Sequence, residues 1–209
     1  MKLNMGCGNN KVPGFINVDA APQCSPDLVA DLEKTPWPWE NDSAEAVLFN
    51  HSLEHMGADP RVFKSMMQEL YRICRNGAEV TIKVPHPRHD DFINDPTHVR
   101  AITPDLLCLL SKRANDVWTA NGAANSPLAM YWGVDFEVKR ARFLLEPRYQ
   151  DSFDRKEISL GQLNEMLRDR NNVAKEIHIV LTVVKRGSVK RLAGGCATGL
   201  RHAEGDLAL

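Results

Sequence analysis

Gly6 and Gly8 flank Cys7 directly after a short strand, Lys2 to Met5, and a second short strand, Phe15 to Val18, ends at Asp19. Glycines after a strand let a backbone approach a ligand closely, because no Cβ stands in the way. A carboxylate at the tip of the next parallel strand can accept hydrogen bonds from a ribose diol. Asp27 to Leu32 reads as a third strand ending beside Asp31, and the apolar run Ala46 to Phe49 leads into Asn50-His51. Glycines, two acids and an Asn-His pair after four successive strands describe a nucleoside-binding edge.

The loop narrows which nucleoside fits. A dinucleotide fingerprint needs a third Gly or Ala three positions after the second glycine, and Lys11 stands there. A pyrophosphate also needs a helix N-terminus aimed at it, and the stretch Gly6 to Gly14, closed by Pro13-Gly14, leaves no room for a full helix. An NAD-dependent oxidoreductase is disfavoured on both counts. A nucleoside without phosphates, such as S-adenosylmethionine (SAM), asks less of the loop.

The histidines supply the acid–base chemistry. His51-Ser52-Leu53-Glu54-His55 matches H-x-x-E-H, the inverted zinc-protease motif. It begins where a loop after a buried strand is expected, so the metalloprotease reading is set aside. His86, His89, Asp90, Asp91, Asp95 and His98 have spacings that fit no standard zinc pattern, and no metal is expected. An imidazole suits a general base working near neutrality. His51 and His98 are the expected bases, with His86 third.

The elements that must position these groups follow from periodicity. Asp59-Pro60 opens a helix whose Phe63, Met66, Met67, Leu70, Tyr71 and Cys74 recur on one face, with Gly77 as its stop. Val80 to Val84 is a strand, His86 to Arg100 a polar stretch, and Thr103-Pro104 caps a helix through Leu110. The stretch 115–133 reads as an insertion or lid, Phe136 to Leu145 as a strand, Leu160 to Arg170 as a helix and Ile177 to Val184 as the last strand. Trp37 and Trp39 read as packing residues. Alternating strands and helices mean a doubly wound, mostly parallel α/β sheet, which binds ligands outside the carboxyl ends of its strands.

As an ordered set, Leu3 to Gly8, Phe15 to Asp19, Ala30-Asp31-Leu32, Asn50 to His55 and Asp95-Pro96-Thr97-His98 resemble the class I SAM-dependent methyltransferases. The resemblance is closest to a short, type 11-like subgroup that starts at the first strand, and it covers roughly residues 1 to 185. It implies a seven-stranded sheet with an antiparallel last strand. It implies that Gly6, Cys7 and Gly8 pass under the methionine part of SAM and that Asp19 holds the ribose hydroxyls. Asp31 would accept from the adenine amino group beside the Leu32 backbone, and Asn50 and His51 would flank the sulfonium. Two departures are Asn10 in place of a further glycine and a nearly absent first crossover helix. That absence predicts bare apolar sheet surface at strands one and two, covered by the tail or by a second subunit as a homodimer.

The chain has 209 residues, 43% hydrophobic and 25% charged, with a formal net charge of -1. That suits one domain, expected over 1–186, followed by a flexible tail, 187–209. No basic stripe marks a nucleic-acid path and no run is long enough for a membrane. Five cysteines without a CxxC pair suggest reduced thiols and a cytoplasmic location. The expected activity is methyl transfer to a small-molecule or sugar acceptor through oxygen or nitrogen. A SAM-binding regulatory protein without turnover is the alternative.

Overall fold

A computed structural model describes residues 1–185, so the expected tail and the boundary at 186 lie outside the described residues. Seven strands form one sheet in the order β3-β2-β1-β4-β5-β7-β6. They are β1 (Lys2–Met5), β2 (Ile16–Asp19), β3 (Leu28–Val29), β4 (Ala44–Asn50), β5 (Cys74–Pro85), β6 (Phe136–Leu145) and β7 (Ala174–Val183). β1 pairs in parallel with β2 and β4, β2 with β3, and β4 with β5. β7 lies antiparallel between β5 and β6. The expected doubly wound sheet with an antiparallel last strand is what forms.

Helix α1 (Pro60–Ile73) covers one face of the sheet. The Asp59 carboxylate accepts from the Arg61 N–H at 2.8 Å and Pro60 fills the first helical position. Phe63, Met66, Met67, Leu70 and Ile73 are buried, each contributing about 1.5–3 kcal/mol by leaving water. The helix ends before Gly77, contrary to expectation. Cys74 is already extended and pairs with Ala44, and the register then shifts so that Ala46 faces Glu79. Gly77, at φ 78°, sits in the irregular stretch of β5 created by that shift and is not the helix stop.

No helix joins β1 to β2, as expected, but the face beside them is neither bare nor apolar. Asn4 and Asn17 are 1% and 6% exposed. Asn4 Nδ2 donates to Asn17 Oδ1 at 2.9 Å and to the Asn10 carbonyl at 2.9 Å. Asn17 Oδ1 also accepts from the Val12 N–H at 2.8 Å, and Asn17 donates through N–H and Nδ2 to Asp27 Oδ2, each at 2.8 Å. An asparagine cluster therefore fastens the crossover loop where a helix would otherwise pack. The expected apolar surface, and with it the reason for a covering subunit, is absent at these positions.

The polar stretch after β5 holds the short helix α2 (Asp90–Ile93), and Thr103 caps α3 (Pro104–Cys108). The stretch 115–133 is a docked helical insertion, α4 (Lys112–Ala120) and α5 (Leu128–Trp132). Buried Asn115 accepts from the Ala129 N–H at 3.0 Å, and Gln68 on α1 donates to the Trp132 carbonyl at 2.8 Å. Between β6 and β7 come α6 (Pro147–Asp154), which sequence periodicity missed, and α7 (Leu160–Asp169), which starts with a full capping box at Ser159 and Gln162. Trp37 and Trp39 are buried and pack edge to face, as expected. Among the described residues Cys7, Cys24 and Cys74 are free thiols, as expected. Among the described residues no helix is long and apolar enough to cross a membrane.

Candidate active site

The carboxyl ends of β1, β2 and β4 lie side by side, which brings the expected cofactor residues to one edge. Met5 ends β1, and Gly6 turns the chain at φ 67°. A Cβ on Gly6 would stand 2.5 Å from Ser52 Cβ, so only glycine fits. Ser52 Oγ donates to the Met5 carbonyl at 2.7 Å and so ties the loop after β4 to the end of β1. Gly8 differs: it also has positive φ, 49°, but nothing lies within 4 Å of where its Cβ would be. The backbone there faces open space.

Asp19, at the tip of β2, shapes that loop. The Gly8 N–H donates to its Oδ2 at 2.7 Å and the Ala21 N–H to its Oδ1 at 2.9 Å. A carboxylate has about four acceptor sites, so both oxygens retain capacity for a diol. Cys7, between Gly6 and Gly8 in sequence, is buried, and burial, then the Asp19 charge, raises its thiol pKa. Asp31 lies past β3, its carboxylate accepting from the Glu33 N–H at 3.0 Å and paired with Lys34 at 3.3 Å, with the side chain 39% exposed. Leu32 turns into the core, and its carbonyl accepts from Trp37 Nε1 at 2.9 Å.

At the end of β4, Asn50 is half-buried and His51 adopts φ 52°. The His51 ring is 43% exposed and stands between two carboxylates, Glu54 at 3.7 Å and Glu176 at 3.5 Å. The H-x-x-E-H run does not form a settled helix; Leu53–His55 is a single 3-10 turn. That geometry removes the regular i, i+4 helical pair on which the protease motif depends.

His98 reaches the same place from the loop after β5. Its side chain is only 7% exposed, stacked on Phe92 and 4.6 Å from the His55 ring between centroids. His86 is elsewhere, in the wall of a pocket of about 440 Å³ that it shares with Arg88, Asp105, Phe143 and Arg168. Burial, with Arg88 and His89 adding to it, lowers its pKa to about 4. The structure thus groups His51 with His98 and separates His86 from both.

Glu54 and Glu176 had no role assigned from sequence. Glu54 was visible only as a letter in a protease-like motif, and Glu176 carries no local signal because its meeting with His51 depends on β7 pairing with β5.

No protein-family model and no curated protein matches this chain. Among solved structures, it is similar to a SAM-dependent methyltransferase from Archaeoglobus fulgidus, with a TM-score of 0.57 and 18% identity over 87% of this chain and 85% of that one. It is also similar to a SAM-dependent methyltransferase from Thermotoga maritima, with a TM-score of 0.50 and 14% identity over 87% of this chain and 80% of that one. The chain therefore has the fold of the class I SAM-dependent methyltransferases.

Proposed function

We propose that this protein is a SAM-dependent methyltransferase acting on a small-molecule or sugar acceptor through an oxygen or nitrogen nucleophile. The observation that carries the reading is the pair Gly8 and Asp19: an open backbone at positive φ, held by a strand-tip carboxylate with acceptor capacity left over. In this reading the Gly6-Cys7-Gly8 backbone runs under the methionine portion and Asp19 takes the ribose hydroxyls. Asp31, beside the Leu32 backbone, takes the adenine amino group, and Asn50 and His51 line the sulfonium. SAM supplies a methyl carbon already activated by its positive sulfur.

The protein's share is orientation and exclusion of water, effects that reach about 7–11 kcal/mol in favourable cases. His51 is the exposed imidazole at the strand tip and takes the acceptor's proton where one must leave. His98, the other expected base, is enclosed by Phe92 and His55 and less open to an acceptor than His51.

Calorimetry with SAM, S-adenosylhomocysteine and NADH tests the cofactor. Binding of the first two and none of the third is expected, and binding of NADH alone overturns the reading. Methyl release against a panel of sugars, phenols and amines then tests turnover. SAM binding without release to any acceptor would favour a regulatory SAM-binding protein.

A further inference from the structure

Glu54 is fully buried, and neither of its carboxylate oxygens has a hydrogen-bond partner among the described residues. A buried carboxylate left without a partner is costly and calls for a proton or a cation. Imidazoles surround it. His51 Nδ1 lies 3.7 Å and His55 Nε2 4.0 Å from Glu54 Oε1, near but not hydrogen-bonded. One ligand atom each from Glu54, His55 and His98 fall within 4.8 Å of one another.

The outer contacts of the two enclosed rings decide where their protons are. His98 Nδ1 lies 2.9 Å from the Phe92 carbonyl, which only accepts, so Nδ1 carries a proton and, in the neutral ring, Nε2 offers its lone pair, with Asp95 Oδ2 at 3.8 Å. Thr97 Oγ1 donates to Asp95 Oδ1 at 2.6 Å, which leaves its oxygen to accept from His55 Nδ1 at 2.9 Å. In a neutral His55 ring Nε2 likewise offers a lone pair. Two imidazole lone pairs and an unpartnered carboxylate share one space, with their outer nitrogens fixed as those of metal-binding histidines are.

We propose that Glu54, His55 and His98 form a binding site for a divalent first-row transition-metal ion. Two neutral imidazoles and a carboxylate, without a thiolate, suit zinc, manganese, iron or cobalt. Three protein ligands leave a position open, and His51 stands on the exposed side, where that position would face. Metal–ligand distances of about 2.0–2.2 Å would draw the three side chains together. Sequence spacing did not suggest this site, because His98 comes from a separate loop. If the methyl-transfer reading holds, an acceptor hydroxyl could complete the coordination and lose its proton more readily; the metal site itself does not depend on that reading.

The test is a titration of the chelator-stripped full chain with Co²⁺ in the absence of SAM, followed by displacement with Zn²⁺. One equivalent with visible d–d absorption is expected. Glu54→Gln and His98→Ala should each weaken Co²⁺ binding by at least about 10- to 100-fold, the loss that even outer-partner changes produce. Thr97→Val removes the acceptor of His55 Nδ1, and with it the hydroxyl that donates to Asp95, while leaving all three ligand side chains in place, so it keeps the test valid should either ligand variant fail to fold; it should weaken binding about 10-fold. Absence of d–d absorption, or equal binding by the parent and the folded variants, overturns the proposal and says nothing about SAM.

Discussion

Gly6 and Ser52 meet so closely that the glycine's missing side chain is a condition of the fold: a Cβ on Gly6 would lie 2.5 Å from Ser52 Cβ. Ser52 cannot retreat, because its hydroxyl bonds the Met5 carbonyl. Gly6→Ala therefore combines a left-handed backbone with overpacking and should cost about 2–5 kcal/mol in urea denaturation. Gly8→Ala meets no atoms and should cost only about 1–2 kcal/mol for its positive φ. If Gly8 underlies the cofactor, that variant should still lose SAM affinity about 10-fold or more, read by calorimetry. A Gly8→Ala protein that binds SAM normally would remove the cradle from the proposed site.

Asp19→Ala should reduce affinity for SAM and S-adenosylhomocysteine by about 10- to 100-fold, the cost of a lost charge-assisted contact. It should also destabilise the protein by about 1–3 kcal/mol, because the Gly8 and Ala21 N–H groups lose their acceptor. Asp19→Asn, which keeps one acceptor oxygen, should fall between. Unchanged SAM affinity in a folded Asp19→Ala protein would sink the ribose assignment.

The asparagine cluster makes its own prediction. Asn17→Ala removes the acceptor of the Val12 N–H and one of the two acceptors of the buried Asn4 Nδ2, whereas Asp27 keeps the backbone N–H of residue 17. Each buried group left unsatisfied costs about 1–3 kcal/mol, so the loss in urea denaturation should be at least that of one group. A loss below about 0.5 kcal/mol would mean that the loop needs no such fastening.

His86 predicts a pH dependence of stability. Its imidazole stays neutral in the folded protein down to about 4, whereas an unfolded histidine titrates near ~6.5. Between those values the unfolded chain binds a proton that the native state does not, so stability falls as pH falls from about 6.5 to about 4. Above that window His86 contributes no slope. The loss at the acid end should be about 1–3 kcal/mol after allowance for partial exposure. In His86→Gln the fall over this window should be shallower by that amount, measured by urea denaturation at several pH values; parallel curves would refute it.

Much of the candidate site was legible as a grouping because its residues follow strands directly. Gly6, Gly8, Asp19 and Asn50-His51 each come after an apolar or alternating run, and a parallel sheet places all such tips at one edge. The caps at Asp59 and Thr103 were legible for the same local reason. What was hidden depends on contacts between distant segments. Gly77 looks like a helix stop, yet Cys74 pairs with Ala44 and ends the helix earlier. The polar side chains of Asn4 and Asn17 in short strands gave no sign that Asn4 Nδ2 would donate to Asn17 Oδ1. The grouping of Glu54, His55 and His98 likewise needs the loop after β5 to fold back.

The placement of β7 between β5 and β6 has a consequence for the order of assembly. Among the described residues β6 pairs only with β7, and β7 is later in the chain than either neighbour. During synthesis, at about 5–20 residues per second, the stretch from Phe136 to Val183 takes several seconds to appear. Throughout that interval one edge of β5 is unpaired and β6 has no sheet to join. Open edges of this kind template association between chains. Shielding the nascent chain matters most in that window, and a chain ending before residue 174 should aggregate where one ending after residue 185 does not.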